Sequence, residues 1–247
     1  MVIGAHEGVG KSMLALAWAV QAEIPVLYVS LDTALVDHAL RLIAMSAGHD
    51  IGALARAYDE NRDEWLDTWT PYLEQLPYRT HFIDRSMGTR TIGEVVVAET
   101  EYWGEPPLLT IVDNVGDLVE KEESAAEYAR IFRELKEVAR DHETCVMGLH
   151  HLRRKPPTTG RNEEDDPTTK PVHLHELLYA GGRNVQFALG LWRPESDVMR
   201  VGVLKNRMGP ASAAGRLFTE LRFNPARATF EEKVFLSPSV AATYVRK

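Results

Sequence analysis

Residues 2–20 read VIGAHEGVGKSMLALAWAV and carry the strongest fold signal in the sequence. An apolar "VIG" precedes a glycine-containing loop, and a helix-forming run follows it, so the stretch predicts a strand, a loop and a helix in that order. Gly10, Lys11 and Ser12 match the end of the phosphate-binding pattern G-x-x-x-x-G-K-[ST]. The strict pattern requires glycine at position 5, where this chain has Ala5. The match is therefore to a relaxed phosphate-binding loop.

The residue types of this loop suit a bound nucleotide triphosphate. Glycines allow backbone N–H groups to surround a phosphate, the following helix directs its positive end at the anion, and the lysine supplies a cation. A hydroxyl at Ser12 suits Mg²⁺, so we expect ATP and Mg²⁺ as cofactors. The alternative is a helix entrance with a surface lysine. The predicted nucleotide-binding residues are Ala5, His6, Glu7, Gly8, Val9, Gly10, Lys11 and Ser12.

Composition sets the class of protein. The chain has 247 residues, 45% of them apolar and 26% charged, which predicts one large α/β domain spanning residues 1–247. Apolar runs stay short of about 18 residues, so we expect a soluble, cytoplasmic protein without membrane contact. A net charge of -8 excludes an overall basic surface for nucleic acid, which leaves local basic loops or a ring of subunits for such binding. The single Cys145 lies in the apolar "TCVMGL", which predicts a buried thiol rather than a nucleophile.

Strands alternate with helices along the chain, and this order predicts a parallel, doubly wound sheet whose ligand lies at the carboxyl ends of the strands. Asp32, Asp113 and His151 each follow an apolar strand-like run. Asp113 is the predicted second Mg²⁺ ligand beside Ser12, and Asp32 is predicted to polarise the attacking water. Either aspartate is alternatively an ordinary strand-end residue that caps a loop.

Other segments carry weaker predictions. Apolar spacing predicts a helix over residues 62–76, whose tryptophans are core or subunit contacts. "TIGE" at Thr91 to Glu94 predicts a capping box that opens a helix ending near Trp103. Residues 153–171, rich in Pro, Thr and charge, predict a mobile loop, and the chain ends in a predicted β-hairpin around "MGP".

Six stretches, read in order, resemble the RecA-type motor domain of DnaB-family replicative helicases. They are "AHEGVGKS", "VLYVSLD", "FIDRSMGTRTIGEV", "LLTIVDNVGDL", "LKEVARDHETCVMGLHHLRR" and "VGVLKNRMGP". The histidine pair His150 and His151, near the end of the fifth stretch, is also similar to that of the small RepA-type hexameric helicases. The resemblance implies a RecA-like P-loop NTPase fold, a six-membered ring, ATP between adjacent subunits and single-stranded DNA in the channel.

The resemblance also implies roles for residues outside the loop. Lys205 and Arg207 match the family's Lys-x-Arg turn, which implies cations that reach into a neighbouring subunit's ATP site. Without the resemblance, this turn is a charged hairpin tip on a solvated surface. His151 lies where the family carries a polar sensor of the γ-phosphate. Charge alone predicts DNA phosphate contacts at three consecutive residues: Arg153, Arg154 and Lys155.

The sequence departs from the family in ways that keep alternatives open. Asp32 stands where these motors have glutamate, so its carboxylate is one methylene shorter and slow turnover becomes an alternative. The chain begins almost at the phosphate loop, so we expect a clipped first strand. Three alternatives account for this: a fragment, a misassigned start, or an assembly that another protein completes. A loader or a primase is an expected partner. The alternative functions are a RecA-like ATP-binding switch or loader that does not unwind DNA, and a small-molecule kinase.

Overall fold

One nine-stranded sheet organises the computed structural model of the chain. The structure describes residues 1–77, 79–119, 124–152, 166–178 and 184–233. The strands are β1 Val2–Ala5, β2 Val26–Ser30, β3 Thr80–Asp84, β4 Leu109–Asp113, β5 Cys145–His151, β6 Phe187–Glu195, β7 Val198–Asn206, β8 Phe218–Asn224 and β9 Thr229–Lys233. The α-helices are α1 Lys11–Gln21, α2 Leu35–Ala47, α3 Ile51–Glu60, α4 Arg62–Glu74, α5 Thr89–Trp103, α6 Ala125–Asp141 and α7 Leu174–Leu178.

The strand order confirms the predicted doubly wound sheet. From one edge to the other it is β3-β2-β4-β5-β1-β6-β7-β8-β9. The first six strands in this order are parallel to one another, and the last three continue the sheet in antiparallel fashion. We call the side of the sheet where β1, β2, β4 and β5 end its carboxyl end, and the side where they begin its amino end.

Alternating side chains of the central strands build two cores, one on each face of the sheet. Leu27 and Val29 of β2 pack with α5 and α6, whereas Val26 and Tyr28 of the same strand pack with α1. Both β2 and β4 are buried along their whole length, as expected for parallel strands covered by helices on both faces. A smaller cluster around Trp65 joins α2, α3 and α4, so this tryptophan is a core residue, as predicted.

Local capping sets the start of helix α6, whereas α5 does not begin where the sequence predicts. Ser124 caps α6 by accepting a hydrogen bond from the Glu127 backbone N–H at 3.2 Å, which satisfies a group that the first helical turn leaves unpaired. The predicted capping box at Thr91 is wrong, because α5 begins at Thr89 with Gly88 as its N-cap. Glu94 instead accepts a hydrogen bond from Arg90, one helical turn earlier, at 3.2 Å.

The C-terminal strands extend the predicted hairpin on both sides. β7 and β8 pair in antiparallel fashion, as the sequence predicts, but they are flanked by β6 and β9, which the sequence patterns do not indicate. β6 lies between β7 and β1 and therefore joins the hairpin to the centre of the parallel sheet.

Cys145 differs from its prediction, because its side chain is exposed. It is the first residue of β5, at the amino end of the sheet, where its strand has only begun to enter the core. In the part of the chain that the structure describes, helices long and apolar enough to span a bilayer are absent.

Candidate nucleotide site at the carboxyl end of the sheet

The loop between β1 and α1 has the backbone geometry of an anion cradle. Gly8 and Gly10 adopt positive φ values of 77° and 109°, which residues with a Cβ rarely adopt. A Cβ on Gly10 would also lie 2.9 Å from Met199 Cε. Helix α1 has Gly10 at its N-cap, without a side-chain cap or an acidic residue in its first turn. Its first N–H groups can therefore bind an anion.

Lys11 lies at the centre of this cradle and is 4% exposed. Its Nζ lies 3.0 Å from His151 Nδ1 and 3.4 Å from the backbone oxygen of Ala5. Burial lowers the pKa of Lys11 to about 8, although the negative charges of Asp113, Asp32 and Glu7 act in the opposite direction. The ammonium group is held where a phosphate would compensate its burial.

His151 extends from the end of β5 beside Lys11. Burial, and then the Lys11 charge, lowers the pKa of His151, so the imidazole is neutral and its Nδ1 accepts a hydrogen bond from the ammonium group. The strand register puts His151 directly opposite Ala5, the last residue of β1. The predicted sensor and the predicted phosphate-binding lysine are therefore in contact.

Asp113 and Ser12 provide adjacent oxygen atoms for a divalent cation. Asp113 is 1% exposed, and it accepts hydrogen bonds from Ser12 and, at 2.8 Å, from the Tyr28 hydroxyl. Burial raises the pKa of Asp113, while both hydrogen bonds lower it. A nearby cation would stabilise the ionised carboxylate, and hard oxygen ligands are those that Mg²⁺ prefers. The residues fit the ion.

Asp32 is exposed at the end of β2, and both of its carboxylate oxygens are held. Oδ1 accepts a hydrogen bond from Thr33 Oγ1 at 2.9 Å, and Oδ2 accepts one from Asn114 Nδ2 at 3.2 Å. Because Asn114 directly follows Asp113, the two acidic residues are joined through neighbouring backbone. Asp32 is fixed in orientation yet open to solvent, which suits a group that orients water.

The predicted loop residues contribute in different ways. Val9 is 1% exposed and packs in the core on the α1 face, so only its backbone can face a ligand. The backbone oxygen of Ala5 accepts a hydrogen bond from the Leu152 N–H. His6 is 8% exposed, whereas Glu7 projects into solvent.

Lys205 and Arg207 lie at the other end of the sheet. Lys205 of β7 is paired with Ala188 of β6, which in turn is paired with Val2, the first residue of β1. Lys205 therefore lies level with the start of β1, roughly 10 Å along that strand from the start of the phosphate loop. The Arg207 backbone N–H donates to the oxygen of Gln186, just before β6 begins. The structure does not bring these two cations to the phosphate loop of their own chain.

Sequence reasoning missed two contributors to the site. The Tyr28 hydroxyl binds Asp113, but the sequence shows Tyr28 only as one aromatic residue in a buried strand. Arg193 Nη1 donates to the backbone oxygen of Gly8 at 3.5 Å, and its guanidinium lies 5.0 Å from the centre of the Phe223 ring. Arg193 has no sequence signal, because the patterns do not indicate β6 itself.

The predicted DNA contacts Arg153, Arg154 and Lys155, and most of the predicted mobile loop, lie outside the described residues.

Comparisons with known proteins give a matching family model and related phage proteins. The family model of the DnaB-like helicase C terminal domain matches residues 1–169. Gene 65 protein of Mycobacterium phage L5 is 27% identical over 90% of this chain and 82% of its own length, and Gene 65 protein of Mycobacterium phage D29 is 26% identical over 90% and 94%.

Solved structures share the fold. One ATPase domain of known structure has a TM-score of 0.71 at 18% identity, covering 94% of this chain and 84% of its own. A DnaB-like replicative helicase, solved in a study of its interactions with primase, has a TM-score of 0.72 at 17% identity, covering 93% and 56%. The RadB recombinase has a TM-score of 0.54 at 18% identity, covering 94% and 89%. These likenesses establish a RecA-like ATPase fold.

Proposed function

This chain belongs to the DnaB-like helicase C-terminal domain family, and from that premise we propose that it is an ATP-dependent DNA helicase motor that hydrolyses ATP between subunits. The observation that carries the proposal is the convergence of Lys11, Ser12, Asp32, Asp113 and His151 at the carboxyl end of one sheet. These side chains come from four different strands or the loops that follow them. Phosphoryl transfer to water needs this set: an anion cradle, a metal site, a water-orienting group and a contact to the terminal phosphate.

Each residue has a role that follows from its surroundings. The N–H groups of the loop from Ala5 to Ser12 bind the phosphates, and Lys11 neutralises their charge. Ser12 and Asp113 hold Mg²⁺, which supplies charge stabilisation when bound. Asp32 is exposed and orients the attacking water. His151 contacts Lys11 at 3.0 Å, so a bound γ-phosphate that attracts the ammonium group changes the His151 contact.

The positions of Lys205 and Arg207 favour action on a second copy of the chain. A cation that stabilises the transition state must approach the γ-phosphate, and both residues lie at the amino end of their own sheet. A head-to-tail interface can bring the amino end of one subunit to the carboxyl end of the next, and such interfaces form a ring when the rotation between subunits closes. We propose a ring, with the hexamer as the expected form.

Single-stranded DNA is the proposed partner within that ring. With a net charge of -8, binding requires basic loops gathered in a central channel. Arg153, Arg154 and Lys155 remain the predicted contacts. A loader or primase is a further proposed partner, and the phage relatives suggest the cytoplasm of an infected bacterium as the working compartment.

A RecA-like switch or loader that does not unwind DNA is the second candidate function. The observation that favours it is Asp32, whose short carboxylate already accepts hydrogen bonds from Thr33 and Asn114. Because this carboxylate is one methylene shorter than that of a glutamate and is held at the end of β2, its reach toward the attacking water is short, so hydrolysis can be slow while nucleotide binding is retained. Asp32→Asn addresses whether this carboxylate is used, because it keeps the size of the side chain but removes the charge.

The experiment that tests the function measures ATP turnover with and without single-stranded DNA, alongside strand displacement on a forked duplex. The motor predicts DNA-stimulated turnover and displacement, both lost in Lys11→Ala and retained in Arg90→Ala. Arg90 is a suitable control because its side chain is 92% exposed in an ion pair on α5. Hydrolysis without displacement favours the switch, and the absence of nucleotide binding contradicts both.

A further inference from the structure

One buried imidazole lies behind both acidic residues of the candidate site. We propose that His38, on helix α2, is a positioning residue that holds Asp32 and Asp113 in their working orientation. The inference rests on the proposed function, because it assigns His38 to the same ATPase site. His38 is not a catalytic residue, since its contacts are with the supports of the two carboxylates.

The first connection is a chain of hydrogen bonds to Asp32. His38 Nε2 lies 2.9 Å from Ser30 Oγ, and Ser30 Oγ donates to the backbone oxygen of Thr33 at 2.6 Å. The Thr33 hydroxyl then donates to Asp32 Oδ1 at 2.9 Å. Ser30 therefore links the helix to the turn that presents the carboxylate.

This chain determines which nitrogen of His38 carries the proton. A serine hydroxyl has one proton to donate, and Ser30 uses it on the Thr33 oxygen. Ser30 Oγ must then accept a hydrogen bond from His38, which requires the proton on Nε2. His38 Nδ1 has no hydrogen-bond partner among the described residues, so the unprotonated nitrogen is consistent with its surroundings. The donor at Nε2 is what Ser30 needs.

The second connection is a packing contact that reaches Asp113. The rings of His38, Tyr28 and Phe82 pack as a triangle. The centre of the His38 ring lies 4.8 Å from that of Tyr28 and 5.3 Å from that of Phe82, and the latter two centres are 5.4 Å apart. Tyr28 is fully buried, and its hydroxyl donates to Asp113 Oδ2 at 2.8 Å. A change in the shape of residue 38 therefore alters the packing around Tyr28, the residue that orients Asp113.

The imidazole is suited to this role because it stays neutral. Burial, and then the charge of Arg41, lowers the pKa of His38 to about 4, while Asp84 and Asp32 act in the opposite direction. At neutral pH the side chain is therefore a fixed, uncharged donor. Orienting groups behind an active site must hold its side chains within about 0.5 Å of their productive positions.

The test compares two substitutions of His38. His38→Leu removes the donor, whereas the amide of His38→Gln can donate from nearly the position of Nε2. We expect kcat for ATP to fall about tenfold in His38→Leu, as for other outer partners of an active site, with KM within about twofold. Rescue by His38→Gln to within about threefold of wild type is expected. Equal losses in both variants, or a loss confined to KM, would overturn the inference.

Ser30→Ala supplies a second variant that changes less volume. If His38 acts on Asp32 through Ser30, the double variant Ser30→Ala/His38→Leu loses much less than the product of the two single losses, because both remove one connection. Multiplicative losses would mean that the two residues act independently. Ser30→Ala also tests the hydrogen-bonded connection by itself if His38→Leu fails to fold.

A nuclear magnetic resonance measurement separates this inference from the proposed function. The side-chain carboxyl ¹³C signals of Asp32 and Asp113 should shift in His38→Leu and remain near their wild-type positions in His38→Gln. Unchanged signals in His38→Leu would overturn the inference whether or not the protein hydrolyses ATP. Shifted signals in a protein without ATP turnover would support the positioning role and contradict the proposed motor.

Discussion

The two ends of the central sheet differ in how much of a site each one holds. At the carboxyl end, hydrogen bonds within a single chain link Lys11 to His151 and link Asp113 to Ser12 and Tyr28. At the amino end lie the two cations that the motor interpretation needs, Lys205 in β7 and Arg207 directly after it, and the register of β7 keeps them away from the phosphate loop. Nucleotide binding can therefore be completed inside one subunit, whereas hydrolysis as proposed here requires a second copy.

The electrostatics of the two ends follow the same division. Burial lowers the pKa values of Lys11 and His151 and raises that of Asp113, so burial disfavours the charged form of each ionisable group at the carboxyl end. Lys205 is half-buried, and Arg207 is exposed. Burial, and then the Arg207 charge, lowers the pKa of Lys205. Two like charges held together favour an anionic surface on a partner.

The largest expected effect comes from Arg207→Ala. If Arg207 completes a neighbour's site, kcat falls by about 10³, the lower range for an arginine finger, and the dissociation constant for ATP stays within about threefold. Turnover and equilibrium nucleotide binding are measured on the same preparation. Arg216→Ala is a matched control, because Arg216 is another exposed arginine in the segment between β7 and β8. Normal DNA-stimulated turnover in Arg207→Ala would contradict the proposal that the amino end of one subunit completes the ATP site of its neighbour.

The carboxyl end should also make folding stability depend on acid. The pKa of His38 is about 4 in the folded protein, against 6.5 for an unperturbed histidine. Between these values the unfolded chain binds a proton that the folded chain excludes, so stability decreases as pH falls through this window. The shift corresponds to roughly 3 kcal/mol in the free energy of unfolding.

Urea unfolding of wild type and His38→Gln at pH 7 and pH 4 measures this contribution. The difference between the two proteins should grow toward pH 4 in favour of His38→Gln, which has no imidazole to protonate. Parallel pH profiles for the two proteins would mean that folding does not shift the pKa of His38.

Lys11→Ala should affect binding rather than only turnover. Removal of a buried ammonium group from a phosphate cradle is expected to weaken ATP binding about 100-fold, since hydrogen bonds to charged groups are the strong ones. Isothermal titration calorimetry measures the dissociation constant. Lys205→Ala serves as the control that retains affinity, because Lys205 lies at the amino end of the sheet. Similar affinity losses in both variants would contradict the proposal that the carboxyl end binds ATP and the amino end only completes a neighbour's site.

The smallest effect is expected from Gly10→Ala. Alanine at this position would have to adopt a φ of 109°, and its Cβ would lie 2.9 Å from Met199 Cε. The loop must therefore shift, and ATP affinity should fall about tenfold. Gly48→Ala is the matched control: Gly48 also has a positive φ, of 74°, but a Cβ there meets nothing within 4 Å. Gly48→Ala should lower thermal stability slightly and leave ATP affinity unchanged. Equal affinities in both variants would mean that the Gly10 backbone is not part of the cradle.

The carboxyl end could be predicted from sequence because its signals are local. Gly10, Lys11 and Ser12 form a contiguous pattern, and the strand-end positions of Asp32 and Asp113 follow from apolar runs that stop there. Parallel strands bring such ends together whatever the loops between them, so the convergence was predictable. What each residue does in catalysis remains a prediction.

The supports of the site could not be predicted, because they depend on contacts distant in sequence. Tyr28 reaches Asp113 across 85 positions, and Arg193 reaches Gly8 across 185. His38 is one of several polar residues in the amphipathic helix α2, without a spacing pattern to single it out. The placement of Lys205 at the amino end follows from the pairing of β7 with β6, and the sequence patterns do not indicate β6.

In the proposed ring, one subunit binds ATP through Lys11 and the next subunit completes that ATP site with Arg207. Mixing of two variant subunits tests this arrangement. Lys11→Ala and Arg207→Ala proteins are each expected to be nearly inactive, for different reasons. Mixed in equal amounts, random rings bring an intact Lys11 site against an intact Arg207 at about a quarter of head-to-tail interfaces. We expect the mixture to recover about that fraction of wild-type turnover. A mixture that forms mixed rings and stays as inactive as its components would contradict this arrangement.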